Sequence, residues 1–571
     1  MSESLGASKF RSLLLASSLE MTLSVIALLT DSLIAGHAVG EAGLSAMNII
    51  TPIISVPVFL ASMFSVGLAF CYNSALGMFD TRHASGLFGM GIILMAATSL
   101  TVFAGISIFL GAYLDFLNVS PEVRRYVIEY YSCYKFVILV IPFSSLMSTM
   151  VYQDGDDLIA NIANFMNLLG NIVLSLIFTF VFKMGMFGIA LGTLLKELLC
   201  LAALCCHFLR ETNSLHARAY FSLRDLWSLL KYGFVDSGMF IMLGLLVFVM
   251  DKFVTAYFGD FYLPVLSMVV GLLELSIIFD GVAQAMLPLV SVYYSEGNYP
   301  AVRKVMKPAL KVSLIEGVAF SVVLFVFAEY IPAAFNIREP ELVPFCVEAV
   351  RIIAPSMVVS SLLYLFETYY TIQDKNALAV ISSCLRNFAA VIVISLPLGL
   401  AGSIGGVWAG VALAQVLTLI VCGVIAVMLY GREGFPMYLA DTAPIADFDL
   451  TLSPENIIIV RDKISEFLSR NNVSARVKAN MMLIAEEVGM LIYEKNAGRQ
   501  ITAEYTVMIE TERVELIIRD NGIIFDITDE DAKVESFRSY VVSNIMTKYH
   551  NRENLLTTSF NRNVLRVQYD L

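Results

Sequence analysis

Twelve apolar stretches, each long enough to cross a bilayer as a helix, follow one another through the first 430 residues of this chain. They run over residues 12–36, 46–73, 86–114, 126–151, 158–182, 186–209, 228–257, 263–292, 307–331, 344–372, 377–399 and 405–430. A helix needs about 20 apolar residues to span the hydrocarbon core. Inside lipid every backbone N–H and C=O must be satisfied within the segment, which leaves helices as the spanning form for runs of this kind. Composition agrees: 58% of the 571 residues are hydrophobic and only 15% are charged, where a soluble chain carries about 25%. The expected fold class is an α-helical polytopic membrane protein of about twelve helices embedded in a lipid bilayer. The net charge of −12 does not point to a basic partner, because much of the acid lies after Gly431, where the apolar runs stop. No basic stripe is present to neutralise phosphates, so nucleic acid is excluded as a partner.

Lys9 and Arg11 precede an apolar run that continues to Ala35. That run exceeds a signal-peptide core and lacks a small-residue cleavage site, so it reads as the first spanning helix. Basic residues then mark one side of the membrane. Arg82 and His83, then Arg210, Arg218 and Arg224, then Arg303, Lys304, Lys307 and Lys311, and finally Arg432 all fall on even-to-odd connections. Both termini are therefore expected in the cytoplasm, with the chain in the inner (plasma) membrane. Arg124 and Arg125 are the exception. All eight cysteines lie in or beside apolar stretches. They read as small packing residues, and none has metal-site spacing.

The chain repeats itself. LLTDSLIAG, with Asp31, matches FVMDKFVTAYFG, with Asp251; Gly77 matches Gly297; and Gln153-Asp154 match Gln373-Asp374, each pair 220 residues apart. Gly188 and Gly192 match Gly406 and Gly410 at an offset of 218. Four landmarks in order describe two six-helix halves, residues 1–215 and 216–430, with a cavity expected where they meet. Residues 431–452 hold Gly434, Pro436 and Pro444 without apolar periodicity and read as a linker. Residues 453–571 have soluble composition, with two amphipathic helices, paired strands, a helix near Ser539–Lys548 and closing strands expected.

A carboxylate inside a span is costly, by about 2.5–3.5 kcal/mol on insertion scales, and so faces a cavity or a partner. Asp31 lies late in the first span between Thr30 and Ser32. In a dry cavity its proton affinity rises, so filling and emptying the cavity couples protonation to conformation. Glu274 and Glu367 are further candidates for coupling. Glu20, Asp251 and Asp280 are weaker ones, and an ion pair with the neighbouring Lys252 near the surface is expected for Asp251.

The segments TDSLIAGHAVGEAGLSAMNIITPI, FDGVAQAMLPLVSVYYSEGNYPAVRKVM and NFMNLLGNIVLSLIF with FKMGMFGIALGTLLKE resemble signatures of the multidrug and toxic compound extrusion (MATE) transporters, over about residues 9–430. The resemblance implies a secondary transporter rather than an enzyme, an antiporter that exchanges H+ or Na+ for a small organic or cationic substrate and needs no cofactor. It also implies that Asp31 takes part in cation binding or protonation, and that related proteins carry functional acids near Glu367. Relatives often place an aspartate four residues after the asparagine of the fifth helix. Here Asn171 is followed by Ser175, which leaves the coupling ion open. A lipid-linked saccharide flippase of the same superfamily and a membrane sensor signalling through its tail are the alternatives.

Residues 453–571 resemble a GHKL-class ATP-binding domain, closest to the anti-sigma-factor kinases, through IAEEVGMLIYEKN, RDNGIIFDIT and SFRSYVVSNIMTKYHNRENLLTTSFNRNVLRV. The expected fold is an α/β sandwich. Glu487 matches the class's general base, and Asp520 with Gly522 matches its adenine-binding loop, although an Asp/Asn-Gly pair also makes an ordinary hairpin turn. The magnesium-binding asparagine is replaced by Leu491, which offers no oxygen ligand. Glu535, Ser536 and Arg538 stand where phosphate-binding glycines are expected. The resemblance with these departures implies a pseudoenzyme: ATP and Mg are doubtful ligands, and the domain serves as a regulatory or docking module for a cytoplasmic protein or for self-dimerisation.

Overall fold

The computed structural model describes the chain from residue 5 to 568 except 78–79, 155, 211–212, 214, 441–442, 511–512, 524–543, 546–547 and 553–560, and some side chains, Glu20 among them, also lie outside the described set. The first six long helices are α1 (Leu5–Val39), α2 (Glu41–Gly77), α3 (Thr81–Leu117), α4 (Pro121–Gln153), α5 (Asp157–Leu176) and α6 (Gly185–Cys205). The second set begins with α7 (Leu223–Tyr257). It continues through α8 (Leu263–Leu275) and α9 (Asp280–Ser295), joined by one 3-10 turn into a single span, and then α10 (Tyr299–Val326). After the short α11 (Ile331–Ala334) come α12 (Val343–Ile353), α13 (Ser356–Ile372), α14 (Asn376–Cys384), α15 (Ala390–Ala401) and α16 (Ile404–Tyr430).

Among the described residues eleven continuous helical stretches are long and apolar enough to cross a membrane, and α12 with α13, bent by 48°, forms a twelfth. Pro355 sits in that break. Its missing N–H and its ring both oppose an unbroken helix there. The outer faces are apolar and open, as at Ile108 and Met428 (73% and 79% exposed). A soluble protein would cover such surface; here lipid does. Of the cysteines, Cys133, Cys200, Cys346 and Cys422 are buried, but Cys205 and Cys206 are exposed at the end of α6 and do not act as packing residues.

One close contact occurs in both halves. A Cβ on Gly192 would meet the Ser175 nitrogen at 2.6 Å, and one on Gly410 would meet the Ser395 Cα at 2.3 Å. Only a glycine lets α6 close on α5, and α16 on α15, at that spacing.

The C-terminal domain is a two-layer α/β unit. Its sheet has the order β1-β2-β3-β5-β4, formed by β1 (Ile445–Thr451), β2 (Thr502–Ile509), β3 (Arg513–Asp520), β5 (Asn561–Gln568) and β4 (Lys548–Arg552), all neighbours antiparallel. α17 (Pro454–Arg470) and α18 (Ala475–Lys495) cover one face, packing Ile464, Ile484 and Val488 against Tyr505, Leu516 and Leu565. Ser453 and Ser474 cap these helices through the amides of Asn456 and Val477. The expected linker over 431–452 is corrected, because its last residues form the edge strand β1, in register from Ile445↔Met508 to Thr451↔Thr502. The helix expected near Ser539–Lys548 falls mostly outside the described residues, and Lys548 itself begins β4.

Candidate functional site

Asp31 lies in the last turns of α1 and faces α5 and α6. The Ser175 hydroxyl donates to Oδ1 and the Thr193 hydroxyl to Oδ2, each at 3.4 Å. Ser175 also lies 3.4 Å from Asn171 Oδ1. Tyr130 of α4, fully buried, reaches Thr193 and stacks on Tyr134 at 5.3 Å between ring centres. The site therefore gathers one carboxylate, one carboxamide and two hydroxyls. Such an all-oxygen set suits a proton or a hard monovalent cation. Both hydrogen bonds are long and come from neutral groups, with Asn171 and the Lys196 ammonium as the carboxylate's further polar neighbours.

One turn further along α6 is a cluster that sequence reasoning missed. Lys196 Nζ lies 3.5 Å from Glu197 Oε1 and donates to Asn167 Oδ1 at 3.0 Å. Asn167 donates to Glu197 Oε1 at 3.4 Å, and Ser144 donates to Oε2. The signal was a Lys-Glu pair inside the apolar run TLLKELLC, where charged residues are rare and mark function or buried pairing.

Glu367 of α13 is held differently. Arg386 Nε and Nη2 donate to its two oxygens at 3.2 and 2.9 Å, and Ser382 adds a bond of 2.8 Å. The Arg386 guanidinium is 6% exposed and lies 3.9 Å from the centre of the Tyr364 ring. Glu274 of α8 makes no hydrogen bond or ion pair with the described residues. It lies between Gly271, which abuts Leu29, and Gly281, which abuts Ser18, and so borders the middle of α1. Asp280 accepts from Gln284 at 2.9 Å. Glu20 is on α1, and its side chain is outside the described residues.

Asp251 corrects the expected surface ion pair. It is fully buried and accepts from Asn48 of α2, across the seam between the halves. Lys252 turns away, donating to the Phe116 carbonyl with its ammonium 4.3 Å over the Phe116 ring. Adjacent residues on a helix point about 100° apart, so sequence neighbours in a span need not pair.

The MatE family model matches residues 16–177 and again 238–399, together more than half of the chain. The chain belongs to the MATE family. The two matched segments are of equal length, so each half of this MATE transporter carries the pattern. Multidrug export protein MepA of Staphylococcus saprophyticus is 21% identical over 400 residues, covering 68% of this chain and 86% of that protein. An inward-facing multidrug resistance MATE family transporter of the MOP superfamily superposes with a TM-score of 0.64 at 19% identity, covering 74% of this chain and 97% of that one. The MATE multidrug transporter DinF-BH, solved in complex with R6G, gives a TM-score of 0.61 at 21% identity, with 76% and 97% covered.

These likenesses cover the MATE portion of the chain. In the C-terminal domain, Leu491 points into the core at 3% exposure, whereas Glu487, four residues earlier on α18, is half-buried. Asp520 closes β3 and accepts from the Gly522 amide at 2.8 Å and from Asn561 at 2.9 Å. Asn496 at the end of α18 fixes the same turn by accepting from the Ile523 amide at 2.8 Å. Among the described strands, β3 pairs with β2 and β5. Glu535, Ser536 and Arg538 lie outside the described residues.

Proposed function

We propose that the protein exports small organic or cationic compounds across the inner membrane in exchange for H+ or Na+, with both termini in the cytoplasm. The contrast between Asp31 and Glu367 carries this reading. Glu367 is saturated by a bidentate guanidinium, so changing its charge state would leave Arg386 buried and unpaired. Asp31 has long bonds from the Ser175 and Thr193 hydroxyls and no ion pair within 4 Å among the described residues. It exchanges its cation without breaking an ion pair, and coupling therefore rests on Asp31, with Glu274 as the second exchangeable acid. Binding or release of the cation at α1, α5 and α6 changes the charge of the first half's interior, and opening the site to one side or the other sets which state is favoured.

The buried position of the acid between α1, α5 and α6 and the family's multidrug relatives support organic compounds as cargo. R6G is a suitable probe, because DinF-BH was solved with it. In cells expressing the full chain, R6G accumulation falls in a gradient-dependent way. Asp31→Asn loses that effect by roughly tenfold or more, as expected when a group essential to coupling is removed. Unchanged efflux by Asp31→Asn overturns the assignment.

The C-terminal domain, in this reading, has a GHKL-type fold without its chemistry and regulates the transporter. The apolar Leu491 leaves α18 without the magnesium-binding side chain expected four residues after the general-base position, Glu487. Purified full-length protein is expected to show no magnesium-dependent ATP hydrolysis. Hydrolysis that is abolished by Glu487→Gln refutes the point.

A further inference from the structure

Alternation along the strands gives the C-terminal sheet two unlike faces. Phe448, Tyr505, Leu516, Ile518 and Leu565 lie on the face covered by α17 and α18. The opposite face carries Asp447 and Asp449 of β1, Glu504 and Thr506 of β2, Arg519 of β3 and Arg562 of β5. In an isolated two-layer domain such a face meets water. Here Glu504, Thr506 and Arg519 are 3%, 0% and 2% exposed.

What covers them is the turn between α9 and α10. Glu296 accepts from Arg519 and lies 2.5 Å from Arg562 Nη2. Arg519 also donates to Glu504 at 2.8 Å. The Tyr293 hydroxyl donates to Glu504 at 2.9 Å, and its ring centre lies 4.8 Å from the Arg519 guanidinium. Asn298 is fully buried and is used twice. Its Oδ1 caps α10 at the Ala301 amide (3.1 Å), while its Nδ2 donates to Asp447 (2.9 Å) and Thr506 (3.3 Å). Lys304 lies 3.5 Å from both Asp447 and Asp449. Asp449 also accepts from the Leu5 amide at the start of α1, at 3.1 Å. The surface thus joins α1, from the first half, to α9 and α10, from the second.

We propose that the open face of the C-terminal sheet is an interaction surface for its own transporter, a clamp that grips the α9–α10 turn and the start of α1 and favours the conformation closed on that side. Opposite charges meet across the contact, Glu296 with Arg519 and Arg562 and Lys304 with Asp447 and Asp449, and a soluble partner or a second copy would have to displace these pairs. Unpairing a buried charge is strongly unfavourable, so the clamp engages as a unit and releases as a unit. Release frees α1 to part from α9, which it touches here through Gly6 at Tyr293 and Ser18 at Gly281. The proposal rests on the transporter reading above, with alternating access by relative motion of the halves.

The test uses the full chain with Cys71, Cys205, Cys206 and Cys384 replaced by serine and spin labels at Arg82→Cys and Lys307→Cys, one on each half. The distance distribution is measured without the variant, with Glu296→Arg and with Lys304→Glu, which attack the contact at different points. A narrow short-distance population is expected without the variant, with a roughly tenfold shift toward longer distances in both variants, as for a two-state equilibrium that has lost one state's contacts. Identical distributions in all three overturn the clamp. R6G efflux is measured alongside. Absent efflux in every form, with the distance shift intact, counts against the transport reading and leaves the clamp standing.

Discussion

Replacing Arg386 with methionine isolates the buried pair between α13 and the π turn (Leu385–Ala389) that joins α14 to α15. The guanidinium makes two charge-assisted bonds to Glu367, and the Gln415 side chain donates to the Arg386 carbonyl at 3.3 Å. Arg386→Met keeps a flexible apolar side chain against Tyr364 but leaves Glu367 with Ser382 as its one side-chain donor among those bonds. Breaking a buried pair from one side is worth about 3–5 kcal/mol, because an uncompensated charge remains. Removing both charges, in Arg386→Met with Glu367→Met, exchanges the pair for apolar volume, for which the net change is about zero. The double variant is therefore expected to be about 3–5 kcal/mol more stable than either single variant. The assay is reversible unfolding of the purified protein in mixed micelles, read as a double-mutant cycle. An Arg386→Met variant as stable as the parent, or strictly additive effects, refutes the view that Glu367 is neutralised by Arg386. If the double variant retains gradient-driven efflux, coupling does not require Glu367.

Gly192→Val and Gly410→Val both force a side chain into backbone, at 2.6 and 2.3 Å from the nearest atoms, and each is expected to lower stability by about 1–3 kcal/mol or more. Gly192→Val also moves Ser175 away from Asp31, so efflux per folded molecule falls for this variant and not for Gly410→Val; equal losses in a transport assay normalised to folded protein contradict the site. A pH dependence follows from Glu504. Burial, with Asp447 and Asp449 beside it, pushes its carboxyl up to about 8 from an ordinary 4.5, against the Tyr293 hydroxyl and Lys304. Arg519, Arg562 and Glu296 complete the charges around it. The docked domain therefore binds more protons than the released one between these values, so docking strengthens as pH falls and weakens as pH rises through about 8. The spin-label distances should report this between pH 6 and 9, and Glu504→Gln should flatten the response; a profile rising in the opposite sense refutes it.

The membrane part of the fold was legible because lipid imposes one local rule. Each span must satisfy its own backbone and present an apolar surface, so length and hydropathy locate the helices within a few residues, although the bend at Pro355 inside 344–372 was not among the expectations. The repeat was legible for the same reason, since glycines that let helices touch recur at fixed spacing. Asp31 stood out as a carboxylate in an apolar run. Its neighbours did not, because Asn171, Ser175 and Thr193 are unremarkable residues on two other helices, and only packing brings their oxygens together. Glu367 and Asp251 looked alike in sequence; one meets Arg386, the other Asn48, and those partners are 19 and 203 residues away. Strand β1 shows the limit from the other side. Its Asp447-Phe448-Asp449-Leu450 alternation fits a strand, but the acids resemble a solvated linker until the turn between α9 and α10 covers them. The sequence by itself determined where the chain enters lipid, since that depends on each segment alone. The tertiary structure decided which charges are paired and which remain exchangeable, since a charge's state depends on groups brought to it from elsewhere in the chain.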